Sequence, residues 1–143
     1  MNVAAILRQK GRAVTTASPG ATLQEVARKL AAKRIGAIVI VSSGGEVAGI
    51  ISERDIVRAL AQDGADCLAK PATQYMTRQV VSCTETDTLD ELMALMTSQR
   101  FRHLPVVTDG ALVGIVSIGD VVKDHIAEVE MEATAMRDYI CHS

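Results

Sequence analysis

Apolar residues recur at helical spacing behind two Thr-x-x-Glu strings. Leu23, Val26, Ala27, Leu30 and Ala31 follow Thr22 and Glu25, and Leu89, Leu92, Met93 and Met96 follow Thr88 and Glu91. Positions i, i+3, i+4 and i+7 lie on one face of a helix. A hydroxyl and a carboxylate three residues apart satisfy opposite orphan backbone donors, so each string predicts a helix start. Behind each helix comes a continuous apolar run, AIVIV (37–41) or LPVV (104–107). A glycine-containing turn follows, SSGGE (42–46) or TDGA (108–111), and then VAGIIS (47–52) or LVGIVS (112–117). Two such runs around a turn predict a buried β-hairpin. Ser52 and Ser117 open second amphipathic helices. The β-branched stretches AVTT (13–16) and VVSC (80–83) are expected to be strands ahead of the first helices.

The pattern is therefore one β-α-β-β-α unit written twice. Residues 22–41 align with 88–107 at an offset of 66, and Gly49 to Asp55 align with Gly114 to Asp120 at 65. Boundaries follow from it: an N-terminal helical segment (1–12), a first unit (13–63), a connector with Gly64 and Pro71 as punctuation (64–79), a second unit (80–126) and a C-terminal helical extension (127–143).

Composition narrows what such a pair can be. At 143 residues, two half-size units are marginal alone and are expected to share a core. Apolar residues make up 48% of the chain, with one Phe and no Trp, so that core is expected to be built from Ala, Val, Ile, Leu and Met. The net charge is −2 with interspersed signs, which disfavours a nucleic-acid role. No apolar run approaches a membrane span, the first residues lack the order of charges of a secretory signal, and the protein is expected in the cytoplasm. Cys67, Cys83 and Cys141 form no CxxC pair, and Cys141 beside His142 lacks further ligands, so neither a disulfide framework nor a metal site is expected.

The β-α-β-β-α unit, the RHLPVV strand and the paired G-h-h-S-x-x-D strings (49–55 and 114–120) resemble the cystathionine-β-synthase (CBS) domain in tandem, the Bateman module. The resemblance covers roughly residues 13–126. It implies an α/β (α+β) fold in which two units pack about a pseudo-twofold axis. It also implies a regulatory module without catalysis, binding AMP, ADP, ATP, NAD(H) or S-adenosylmethionine in two clefts, with no required cofactor. A homodimer is expected, with an unidentified effector protein as the reader.

Ser-x-x-Asp is itself a capping box with Asp in place of Glu, and spacing alone favours that reading. A helix starting off a strand end also presents unsatisfied donors suited to phosphate, while Gly49 and Gly114 could leave room for a flat ring. The resemblance assigns Asp55 and Asp120 to ribose hydroxyls, for which an acceptor-only carboxylate is suited, and Ser52 and Ser117 to phosphate or ribose. It places adenine near Thr15, Thr16, Ala37 and Ile50 in one unit and Val81, Ser82, His103 and Ile115 in the other. Arg102 and His103 match family positions that meet phosphate, whereas repeat one has Gly36 and Ala37 there. Arg100 can instead end the preceding helix. Arg54 opposes the dipole at a helix start unless a phosphate compensates it, and its counterpart is Gly119.

Two rival functions compete with this reading. A hydrolase is disfavoured because His103, His125 and His142 lie in no nucleophile motif. A scaffold with vestigial clefts is the alternative, in which the tail EVEMEATAMRDYICHS (128–143) serves dimer contact or partner docking.

Overall fold

A computed structural model of the chain describes residues 1–142; Ser143 and the side chain of His142 lie outside it. The first unit consists of β1 (Thr16–Ala17), α2 (Leu23–Lys33), β2 (Ala37–Val41), β3 (Val47–Ser52) and α3 (Glu53–Asp63). The second consists of α4 (Leu89–Gln99), β4 (His103–Thr108), β5 (Ala111–Ser117) and the long α5 (Ile118–His142). A short helix α1 (Val3–Lys10) precedes the first unit, and two 3-10 turns, Gly64–Ala69 and Ala72–Gln74, carry the connector.

Local chemistry forms these elements much as the pattern predicts. Thr22 and Glu25 close a full capping box on α2. Thr88 accepts from the Glu91 N–H at 3.1 Å to start α4. Helices α2 and α4 end on Arg34 (φ 54°) and Arg100 (φ 59°), left-handed residues at equivalent places. The hairpins pair antiparallel, Ala37 opposite Ser52 and His103 opposite Ser117, each with a register shift near its turn.

The two first strands differ from expectation. β1 shrinks to two residues, parallel to Val39 and Ile40. VVSC forms no strand: only Cys83 makes a parallel bridge, to Val106, so the second sheet has two strands where the first has three. β-branched composition favours extended backbone, but a ladder also needs a partner edge, and here that contact is a single bridge.

The expected common core is also corrected, because there are two. Ile38, Ile40, Ile51, Leu23 and Val26 build one, and Leu104, Val106, Val116, Leu89 and Leu92 the other. The halves interlock by exchange instead. Helix α1 precedes the first unit but supplies Val3, Ile6 and Leu7 to the second core. The connector precedes the second unit but supplies Cys67, Ala72 and Met76 to the first. The same main-chain bonds recur in both: Leu23 N–H donates to the Lys70 carbonyl at 3.0 Å, and Leu89 N–H to the Met1 carbonyl at 3.3 Å. This reciprocity relates the halves as a pseudo-twofold pair, and each unit covers its apolar face with a segment borrowed from outside its own repeat.

The opposite sheet faces are covered as well. Val39 and Pro105 are buried although they alternate with the core residues, and the His103 ring abuts Gly36 across the junction.

Candidate functional site

The junction opens into a cleft of about 210 Å³. One wall is the end of β3 and the start of α3, with Ile50, Ser52, Glu53, Arg54, Asp55 and Arg58. The other is the α4–β4 turn of the second unit, Arg100, Phe101, Arg102 and His103; Gly36 and Thr77 complete it. Of the predicted site residues, Ile50, Ser52, Arg54, Asp55, Arg102 and His103 thus meet in one place.

Its charge is lopsided. Four guanidinium groups face two carboxylates, those of Glu53 and Asp55. Arg58 comes within 3.9 Å of Asp55, while no ion pair engages Arg54, Arg100 or Arg102 among the described residues. Unpaired guanidinium groups in a concave wall form a site for an anion with several oxygens. Arg100 ends α4, as foreseen, and lines the cleft as well.

The carboxylate is already placed but not free. Asp55 Oδ2 accepts from Ser52 N–H at 2.9 Å, and Ser52 Oγ accepts from Asp55 N–H at 3.3 Å. The capping reading of Ser-x-x-Asp therefore describes this state. The second oxygen, Oδ1, meets only the distant Arg58 and remains an acceptor facing the cleft.

Across the pseudo-twofold lies a second cavity of about 170 Å³, lined by Ile6, Gln9, Lys10, Asp120, Lys123 and Asp124. Ser117 and Asp120 make the same reciprocal cap, at 2.9 and 3.1 Å. Here a lysine also holds the capping oxygen, Oδ2. Lys10 Nζ donates to Asp120 Oδ2 at 2.6 Å and to the Ile115 carbonyl at 2.9 Å. Burial pushes the Asp120 carboxyl upward, but hydrogen bonds from Lys10 and from Ser117 N–H outweigh it and hold it below its ordinary value. The half-buried His103 ring lies between the cavities. Burial foremost, then the nearby Lys10, push its pKa down against the pull of Asp120 and Glu53.

Several expectations are corrected. Gly49 and Gly114 leave no room for a ring: a Cβ on Gly49 would meet Met76 Sδ at 2.5 Å, and one on Gly114 would meet Leu7 Cδ2 at 2.7 Å. The exchanged segments fill that space. Ile50 offers its side chain but not its backbone, whose N–H and carbonyl both bond Thr77, at 3.0 and 2.9 Å. Thr15, Thr16, Ala37, Val81 and Ser82 line neither cavity wall. The Thr16 carbonyl accepts from Lys29, Ala37 is buried opposite Ser52, Val81 packs on the second core and Ser82 is exposed. Thr77, Phe101, Arg58 and Lys10 went unforeseen. Lys10 and Thr77 were hidden because the exchange attaches each to the other repeat's cleft; Arg58 could have been read from its i+4 spacing to Arg54.

A family model for the CBS domain matches residues 7–62 and again 72–125. The chain belongs to the CBS domain family. As a CBS-domain pair it is similar to a CBS-domain-containing protein of Agrobacterium tumefaciens, 46% identical over 87% of this chain and 99% of that one, with a TM-score of 0.85. It is also similar to a CBS domain protein of Pyrobaculum aerophilum solved with AMP, at 31% identity, TM-score 0.75, covering 84% of this chain and 89% of that one. A third structure is the CBS domain pair of protein MJ0100, solved with methylthioadenosine and S-adenosylmethionine. It is 29% identical, covers 90% and 98% of the two chains and has a TM-score of 0.80. The chain spans 66% and 60% of the length of the first curated relatives it matches. Among the described residues, no helix is long and apolar enough to cross a membrane, and no cluster of His, Cys, Asp and Glu could hold a metal.

Proposed function

We propose that this CBS pair is a non-catalytic regulatory module of the cytoplasm that binds one adenosine nucleotide, AMP, ADP, ATP or NAD(H), in the cleft between its units. In this reading it acts as a homodimer and reports occupancy to an effector protein. The supporting observation is the cross-unit pairing of Asp55 on one wall with the unpaired Arg100 and Arg102 on the other. An acceptor-only carboxylate suits a vicinal diol, and guanidinium groups suit phosphate, at opposite ends of a single ligand. Arg54, misplaced for the helix dipole, is explained by the same anion. That relatives were solved with AMP and with S-adenosylmethionine supports the adenosine class.

A second reading holds for the other cavity. With Lys10 on Asp120 and on the Ile115 carbonyl, it is vestigial as a nucleotide site and serves to fasten α1.

Thermal unfolding tests both readings, since a ligand that binds only the native state raises Tm with dose. Millimolar AMP, ADP, ATP, NADH and S-adenosylmethionine are titrated against wild type, Asp55→Ala and Asp120→Ala. The expected result is a shift with at least one nucleotide that Asp55→Ala abolishes and Asp120→Ala retains. No shift with any of the five refutes the reading.

A further inference from the structure

Helix α5 outruns the fold it belongs to. The family match ends at residue 125, and the body ends near Glu128, whose carboxylate meets the N-terminal ammonium at 3.5 Å. From 129 to 141 every residue is exposed. At 1.5 Å per residue, the helix projects roughly 20 Å beyond the second unit. It is not polar all round, as a solvated helix end would be. Val122, Ile126, Val129, Ala133 and Met136 follow one another at spacings of four, three, four and three, and the four large ones are 43, 51, 48 and 61% exposed. Alternating fours and threes are the heptad seam of a coiled coil. The seam starts beside the body and runs without a break onto the projecting half, away from Val121 and Asp124, which face inward.

We propose that this seam is covered by the same helix of a second copy, packed parallel and in register, so that two CBS pairs are joined through the projecting ends of α5. Charge complementarity suits a second copy of this helix as the partner. With Ile126 and Ala133 at a, and Val122, Val129 and Met136 at d, Glu132 falls at g and Arg137 at e. Parallel pairing sets Glu132 of each copy beside Arg137 of the other, twice by symmetry. His125 and Glu130 meet in the same way. The antiparallel overlap that lays Ile126 against Met136 sets Glu130 against Glu130 and Glu132 against Glu132. The acidic flank of Glu128, Glu130 and Glu132 also makes an anionic membrane surface a poor occupant. The inference rests on the homodimer of the proposed function and not on its nucleotide; the two fail separately, because pairing is measured with no nucleotide present.

Molar mass of the full chain is measured by light scattering across a dilution series. Wild type is expected to be dimeric, Val129→Glu with Met136→Glu monomeric with an unchanged melting profile of the body, and a monomeric wild type at tens of micromolar would overturn the proposal. Glu132→Arg and Arg137→Glu should each raise the dimer dissociation constant several-fold, and the two together should restore it; loss without restoration refutes the pairing. Direction is read by Met136→Cys in a Cys141→Ser background. Mild oxidation should yield a covalent dimer, since equivalent d positions oppose each other only in the parallel form. A dimer that the introduced thiol does not cross-link is not the one proposed.

Discussion

Lys10 Nζ sits 2.6 Å from Asp120 Oδ2, so a lysine from the helix ahead of the first unit occupies the carboxylate of the second. The pair is about a third exposed on the lysine side, which limits its worth to no more than about 1 kcal/mol. Its larger effect is on access, because it sets a hydrogen-bonded cation on the carboxylate of one cleft and not on that of the other.

Replacing Lys10 with Met should therefore unlock the second cleft. Calorimetric titration with AMP is expected to change from one site in wild type to two in Lys10→Met, at little cost in stability. The variant should also lose acid sensitivity. A carboxyl held below its ordinary value of 3.8 contributes stability that is present above that pH and lost as the pH falls through the lower folded value. Urea midpoints between pH 5 and 3 should drop less steeply in Lys10→Met than in wild type.

His103 acts in the same direction, at higher pH. Its folded pKa lies below the ordinary 6.5, because burial disfavours the imidazolium, so the unfolded chain binds the proton more readily. Stability should fall as the pH drops below about 6.5 and level off beneath the folded value. His103→Gln should flatten that slope between pH 7.5 and 5.5. Bound phosphate should raise the His103 pKa, which an imidazole proton resonance followed with and without AMP would register.

Gly114→Ala should destabilise the second unit by roughly 1–3 kcal/mol, because the new methyl would overlap Leu7. Leu7→Ala alone leaves a cavity and should cost about 2–5 kcal/mol. The double variant should lose clearly less than the sum in chemical denaturation, since each change relieves the other. An additive result would mean that α1 does not occupy the glycine's space.

Arg102→Ala should weaken AMP roughly ten- to a hundredfold while leaving adenosine nearly unchanged, as only the phosphate loses a charge-assisted bond. Added salt should reproduce part of the loss in wild type. Equal losses for both ligands would return Arg102 to a structural role at the strand entrance.

Much of this molecule is legible in the residue order because it is local. Thr22 with Glu25, Ser52 with Asp55 and Ser117 with Asp120 close their caps within three residues, and apolar runs around a glycine turn define both hairpins. Periodicity and caps depend on neighbours a few positions away, and the doubled string repeats them in both halves. Two assignments failed where local preference needed a distant partner: VVSC has strand composition but makes one bridge, and the two glycines are small to admit Leu7 and Met76 rather than a ligand. Which cleft the Arg100–His103 turn would line was equally open along the chain. The exchange of α1 and the connector decided it, and with it which carboxylate carries a lysine. Segments 1–10 and 70–79 each cover the unit that they do not precede, so the contacts that distinguish the clefts, Lys10 to Asp120 and Thr77 to Ile50, join residues 110 and 27 positions apart. No periodicity encodes such a pairing. It follows from the apolar face that each small unit leaves open and from the segments that reach across to close it.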